Sequence, residues 1–275
     1  MRNTIAITAL LSLLAFSACK KTGATDNTNT QTENQQAEKF VIDSVAVNDS
    51  IKITDSLSLK YSSKLLVFPS IKDQKLLDSI YFTEKGIKDF SKNGLQAYLE
   101  KDKNEYYNSI KQDSKNWGSD ITYSQHWYTD SDMTVKSNIN DFLHIQYFNS
   151  SYEGGAHDNY GFSERVFDLK NNKKVGLKDI TTMPKAEIEK LLMKNINKMN
   201  GGATDEKGQI NNSDMLLVEV IPATDNFYFD DKNLYFHYSP YEIAAFAAGD
   251  ITIPVSWEEL KASLTPQFKE RMKIK

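Results

Sequence analysis

The stretch that decides the fold runs from Asn226 to Tyr238 and reads NFYFDDKNLYFHY. Phe227 and Phe229 alternate with polar or amphipathic neighbours, Asp230 to Asn233 supply turn residues, and Leu234, Phe236 and Tyr238 resume the alternation on the far side. A period of two on both sides of a short polar turn describes an antiparallel hairpin with one buried face. Ile251, Ile253 and Val255 repeat the pattern downstream, and Leu216, Val218 and Val220 repeat it upstream, so four strands are expected here. Ser256 with Glu259 three residues on is a capping box, which starts a short helix carrying Leu260.

Working toward the N-terminus, Pro184, the apolar series Ile188, Leu191, Leu192, Ile196 and Met199, and then Gly201-Gly202 delimit an amphipathic helix. Phe162 to Leu169 and Val175 to Leu177 read as strands joined through Asn171-Asn172. Leu143, Ile145 and Tyr147 alternate with His144 and Gln146, a strand with one face buried, closed by the turn Glu153-Gly154-Gly155. Strand character also marks Ile121 to Tyr128 and Asp132 to Val135. Between Leu76 and Ile110 apolar residues recur every three to four positions, with Gly86 and Gly94 as breaks. Phe40 to Ile53 and Leu65 to Phe68, closed by Pro69, read as the first strands. Strands interrupted by a few helices, without regular β-α alternation, give an α+β fold of mostly antiparallel sheets with packed helices.

The chain of 275 residues carries 33 basic and 37 acidic side chains, a net charge of −4 with both signs interspersed, and so lacks the basic footprint of a nucleic-acid binder. Its one cysteine is Cys19, which excludes an internal disulfide and a thiolate zinc cluster. Arg2, an apolar run from Ile5 to Phe16, and small residues Ser17 and Ala18 directly before Cys19 make a lipobox. The expectation is a signal peptide over 1–18, acylation of Cys19 with palmitate-type chains, and a polar tether over 19–39 that cannot offset its ordering entropy by burial. Lys20 and Lys21 do not resemble the acidic run that directs some lipoproteins to the surface, so the expected place is the cell envelope, on the outer membrane facing the periplasm.

Two separated stretches carry a resemblance. The first is Tyr152-Glu153-Gly154-Gly155-Ala156-His157, followed by Phe167-Asp168-Leu169 and Leu177-Lys178-Asp179. The second is Asn226-Phe227-Tyr228-Phe229, Leu234 to Tyr238, Tyr241-Glu242-Ile243-Ala244 and Ala248-Gly249. In this order they resemble the extracellular region of the RsiV anti-sigma factors, in which a domain shared with a PdaC-type peptidoglycan deacetylase precedes a smaller C-terminal domain. The resemblance implies two sequential modules, 40–170 and 171–275. Where that family has a cytoplasmic sigma-binding segment and a transmembrane helix, this chain has a lipoprotein signal, and it has no room for a deacetylase domain. A non-catalytic binding or sensing module is implied, with lysozyme or peptidoglycan as the partner, and Gly154, Gly155, His157, Tyr241 and Gly249 as structural signatures.

Read for chemistry directly, the four histidines, His126, His144, His157 and His237, show no metal-ligand spacing. His144 and His237 alternate with apolar residues and read as outward-facing or hydrogen-bonded sheet histidines in preference to ligands. His157, beside Asp158 in a glycine turn, has two readings: a general base of a peptidoglycan-acting enzyme, or a ring that braces the turn. No nucleophile motif, phosphate loop or dinucleotide fingerprint accompanies it, so no cofactor is expected. Trp117, Tyr123, Trp127 and Tyr128 form a candidate aromatic platform for sugar or protein.

Overall fold

The computed structural model describes residues 40–275 apart from 83, 85, 118–120, 200 and 207. The lipobox, Cys19 and the tether lie outside the described residues. β1 (Asp43–Lys52) and β2 (Leu57–Val67) form an antiparallel hairpin, and β2 is longer than its apolar end at Leu65 to Phe68 suggests. The chain then crosses over through α1 (Gln74–Ile80) and α2 (Lys92–Trp117) to place β3 (Gln125–Ile139) parallel to β2. A parallel neighbour needs such a crossover, which is where the helical periodicity is spent. β4 (Phe142–Tyr152), β5 (Asn159–Asp168) and the two-residue β6 (Lys173–Lys174) follow by antiparallel pairing, completing a six-stranded mixed sheet.

Next come α3 (Leu177–Ile180), α4 (Lys185–Asn195) and a minimal hairpin of β7 (Thr204–Asp205) and β8 (Gly208–Gln209). A second sheet, ordered β11-β10-β9, is built from β9 (Phe227–Phe229), β10 (Asn233–Tyr238) and β11 (Ile251–Ser256), before α5 (Trp257–Leu260) and α6 (Pro266–Met272) end the chain. The fold is α+β, and the hairpin read from Asn226 to Tyr238 is its second sheet's centre. The capping box forms as read: Ser256 N donates to Glu259 at 3.0 Å and Glu259 N to Ser256 Oγ at 3.3 Å.

Several local readings are corrected. Ile121 to Tyr128 and Asp132 to Val135 are not two strands, because the polar residues between them still pair with β2 and β4 in a continuous β3. Gly94 lies inside the first turn of α2, while the break falls at Gly86, whose φ of 85° suits glycine. Val175 to Leu177 is no strand: Gly176 ends the pairing, and Leu177 opens α3 with Asp179 accepting from Gly176 N. Leu216 to Val220 makes one isolated bridge, to Ala244, and leaves Leu217 and Val220 exposed. Its alternation is that of an irregular segment anchored at single points.

The apolar residues sort into two cores. On one face of the large sheet, Val45, Leu57, Leu59, Leu143, Ile145 and Phe167 pack against Leu76, Leu77 and Ile80 of α1 and Leu95 and Leu99 of α2. On the other face, Phe142 and Val166 meet Ile188 and Leu192 of α4 and the second sheet's Phe227, Leu234, Phe236, Ile251 and Ile253. Each fully buried ring or branched side chain here is worth on the order of 1.5–3 kcal/mol. β4 and β5 are therefore covered on both faces where Phe142 to His144 and Val166 to Asp168 pair. That corrects the one-face reading of β4 and puts a buried position at His144.

Candidate binding surface

The second core closes over a polar cluster. Glu164 on β5 shares a face with Val166, and only 1% of its side chain reaches solvent. Its Oε2 lies 2.6 Å from Nε2 of His144 on β4, and its Oε1 accepts from Gln146 Nε2 at 2.7 Å and sits 2.8 Å from Nδ1 of His237 on β10. The far nitrogen of His237 is 3.0 Å from Asp250 Oδ2, just before β11. Asn226 completes the junction. Its amide spans the outer edge of β5, accepting from Glu164 N at 2.5 Å and donating to Phe162 O at 3.0 Å, while also donating to His237 O at 2.8 Å. Side-chain pairing of this kind satisfies the backbone groups that an edge strand would otherwise leave open.

Burial by itself would raise the Glu164 carboxyl, but donation from His144, His237 and Gln146 outweighs it and holds the group down to about 2. For His237 burial works toward loss of the proton, and Asp250 and Glu164 overrule it, lifting the ring to about 9. An imidazolium between two carboxylates thus ties the two sheets together at neutral pH. Buried charges persist only when paired in this way.

From His237 a run of rings leads outward. Phe162 stacks on His237 at 4.9 Å, Tyr160 meets Phe162 edge-on at 6.0 Å, and Phe246 meets Tyr160 edge-on at 5.8 Å. His157 stacks on Phe246 at 3.9 Å, and Tyr241 closes the series 6.2 Å from His157. Apart from the closer, nearly parallel His157–Phe246 stack, these centroid separations are those of offset and edge-to-face aromatic pairs. The two stretches that carry the resemblance, 84 residues apart at His157 and Tyr241, converge here.

Local chemistry explains the placement. Gly154 and Gly155 take φ of 90° and 118°, which turns β4 back into β5 and lifts His157 to the surface. Gly249 has φ of 70°, and a Cβ there would stand 3.6 Å from the Tyr160 hydroxyl. His157 Nδ1 lies 2.7 Å from the backbone oxygen of Asp158; a carbonyl can only accept, so that nitrogen donates and Nε2 is left to accept from Tyr241 Oη at 3.2 Å. The Asp158 carboxylate does not orient the imidazole: it accepts from Tyr128 Oη at 2.8 Å.

The four platform residues separate. Tyr123 is 68% exposed in a loop, and Trp117 ends α2, its side chain lying outside the described residues. Trp127 and Tyr128 are consecutive on β3 and so face opposite sides. Trp127 packs toward the helix-side core beside Gly154, donating to Gln125 Oε1 at 2.7 Å. Tyr128 stacks with Tyr152 at 6.4 Å and joins the His157 loop through Asp158. Sequence reasoning passed over Glu164, Asp250, Tyr160 and Phe246. Among the described residues no group of three or more His, Cys, Asp or Glu is arranged to hold a metal ion, and no helix is long and apolar enough to cross a membrane.

This α+β arrangement has known relatives. Residues 177–258, from α3 into α5, match the family model described as DUF3298, protein of unknown function, so the chain carries a DUF3298 domain. Among solved structures it is similar to a DUF3298-family protein of Bacteroides fragilis, with a TM-score of 0.69 and 22% identity over 86% of this chain and 98% of that one. It is also similar to a DUF3298-family protein of Pseudomonas aeruginosa PAO1, with a TM-score of 0.53 and 14% identity over 84% and 97%. At these identities the likeness is one of fold, and it extends well beyond the DUF3298 domain into the large sheet. None of the curated proteins matches the chain.

Proposed function

We infer that this protein is a non-catalytic binding or sensing module of the cell envelope, held to the membrane through acylated Cys19, whose ligand docks on the surface formed by His157, Tyr241 and Phe246. The observation that carries the reading is the convergence of the Gly154-Gly155-His157 turn and the Tyr241 to Gly249 segment into one solvent-facing ring cluster. Both His157 nitrogens already have partners, and the one that would orient a general base is a backbone carbonyl and not a carboxylate, which weighs against the general-base alternative. Aromatic rings on a glycine-shaped loop, carried on a rigid sheet, are what a contact surface needs.

The RsiV resemblance suggests the ligands to try: a C-type lysozyme, or peptidoglycan fragments. The test is a calorimetric titration of residues 39–275, which form one compact unit, with lysozyme and then with solubilised fragments. Saturable heat with either supports the reading, and silence with both overturns it.

A further inference from the structure

The chemistry of the same surface points to the class of its partner. The loop from Glu153 to Gly161 carries Glu153 and Asp158, the segment from Ser239 to Asp250 carries Glu242 and Asp250, and neither contains a lysine or an arginine. Among the described residues Glu153, Asp158 and Glu242 form no salt bridge, and Asp250 alone is paired, with His237. The rings beside Asp158, Glu242 and Asp250, namely Tyr128, Tyr152, Tyr160, His157, Tyr241 and Phe246, offer π faces and hydroxyls; among the described residues no arginine or lysine is stacked on them, and the cation next in register is Lys60, beside Tyr128 on β2. Elsewhere the protein does satisfy its rings that way: Arg165 lies 3.8 Å above Phe82 and Arg271 lies 3.9 Å above Phe142.

Tyr241 is 57% exposed. It occupies the third position of the turn Ser239-Pro240-Tyr241-Glu242, closed by Glu242 N to Ser239 O at 3.1 Å, with φ of 69°. Proline at the second position and positive φ at the third make a type II turn, whose third position is ordinarily glycine. A large ring there projects into solvent rather than into either core.

We propose that this face docks a protein partner presenting arginine and lysine side chains, with Tyr241 as the anchoring ring. Guanidinium groups stack on tyrosine faces and pair with carboxylates at once, so charge complementarity and ring exposure call for the same partner. The proposal rests on the binding reading above but names a cationic protein surface, not a neutral glycan, as what the face accepts.

The experiment follows the backbone amide signals of residues 39–275 by NMR during titration with an oligoarginine peptide, and in parallel with peptidoglycan fragments. Oligoarginine is expected to shift the amides of 153–161 and 239–250, saturably and less at high salt. Tyr241→Gly, which removes the ring while suiting the turn, should keep the melting temperature or raise it and weaken binding about tenfold or more. Asp158→Asn should weaken it as well. The proposal is overturned if oligoarginine leaves these amides unmoved, or moves them equally in Tyr241→Gly and Asp158→Asn. Shifts from fragments alone would overturn the cationic partner while leaving the binding reading intact.

Discussion

His237 stands at the inner end of one run of rings and His157 near its outer end, yet they are opposite kinds of histidine. His237 is 4% exposed and clamped between Glu164 and Asp250; His157 lies in solvent, stacked on Phe246 and bonded to a carbonyl and a hydroxyl. The first has its protonation dictated by the buried Glu164 and the more exposed Asp250, and removing Glu164 strands a charge. The second is held by a turn and a ring, so it is replaceable for the fold and available to a ligand. A residue's position in a period-two pattern does not separate these cases; what covers its face does.

The sharpest way to break the junction is Glu164→Ala. It leaves His144, His237 and Gln146 without their shared acceptor, and loss of one member of a buried charged network costs about 3–5 kcal/mol. Denaturant unfolding should show that loss, and an unchanged midpoint would mean that the cluster is not holding the sheets. Asn226→Ala comes next. It strands Glu164 N and Phe162 O on the β5 edge, for about 1–3 kcal/mol, and the same melts should place it below the wild type and above Glu164→Ala.

The pH dependence distinguishes the two ends further. His237 is raised from its ordinary 6.5 to about 9 in the folded protein. Its stabilisation is therefore complete below about pH 6.5 and is lost as pH rises through 9. Glu164 is lowered from 4.5 to about 2, so its contribution is present above about pH 4.5 and disappears as pH falls toward 2. Melting temperature plotted against pH should hold a plateau between those limits and decline on the alkaline side. His237→Gln should flatten that alkaline decline, whereas His157→Ala should leave it in place; identical alkaline limbs in wild type and His237→Gln would refute the assignment.

How much of this was legible beforehand follows from the same contrast. The hairpin from Phe227 to Tyr238, the Ile251 to Val255 strand and the Ser256 capping box are specified by alternation and turn chemistry close in sequence, and they form as read. The continuity of β3 and the parallel β2–β3 pair depend on partners that local pattern does not name. Glu164 offered only a carboxylate next in register to Val166, a mark shared with any solvent-facing strand residue, because its partners come from 20 and 73 residues away. The convergence of His157 and Tyr241 was foreshadowed by the resemblance, but their contact is a tertiary fact. Phe246, which His157 stacks upon, sat unremarked in an alanine-rich stretch.

The smallest expected effect on stability is His157→Ala, and its smallness is the point of the comparison. The ring contributes one stacking contact with Phe246 and bonds to Asp158 O and Tyr241 Oη, all at a surface where water replaces the lost partners. The cost should stay below about 1 kcal/mol, within the range of surface changes that strand no buried group. The Gly154-Gly155 turn has its own reason to form, since both glycines carry the positive φ it requires. Ligand binding should suffer more than folding, because Tyr241 loses the hydrogen bond that fixes its ring and a freer ring must be ordered on association. Parallel melts and titrations of His157→Ala test this directly. A large loss of stability with unchanged affinity would reverse the roles assigned to the two histidines and make the exposed cluster a brace for the junction beneath it.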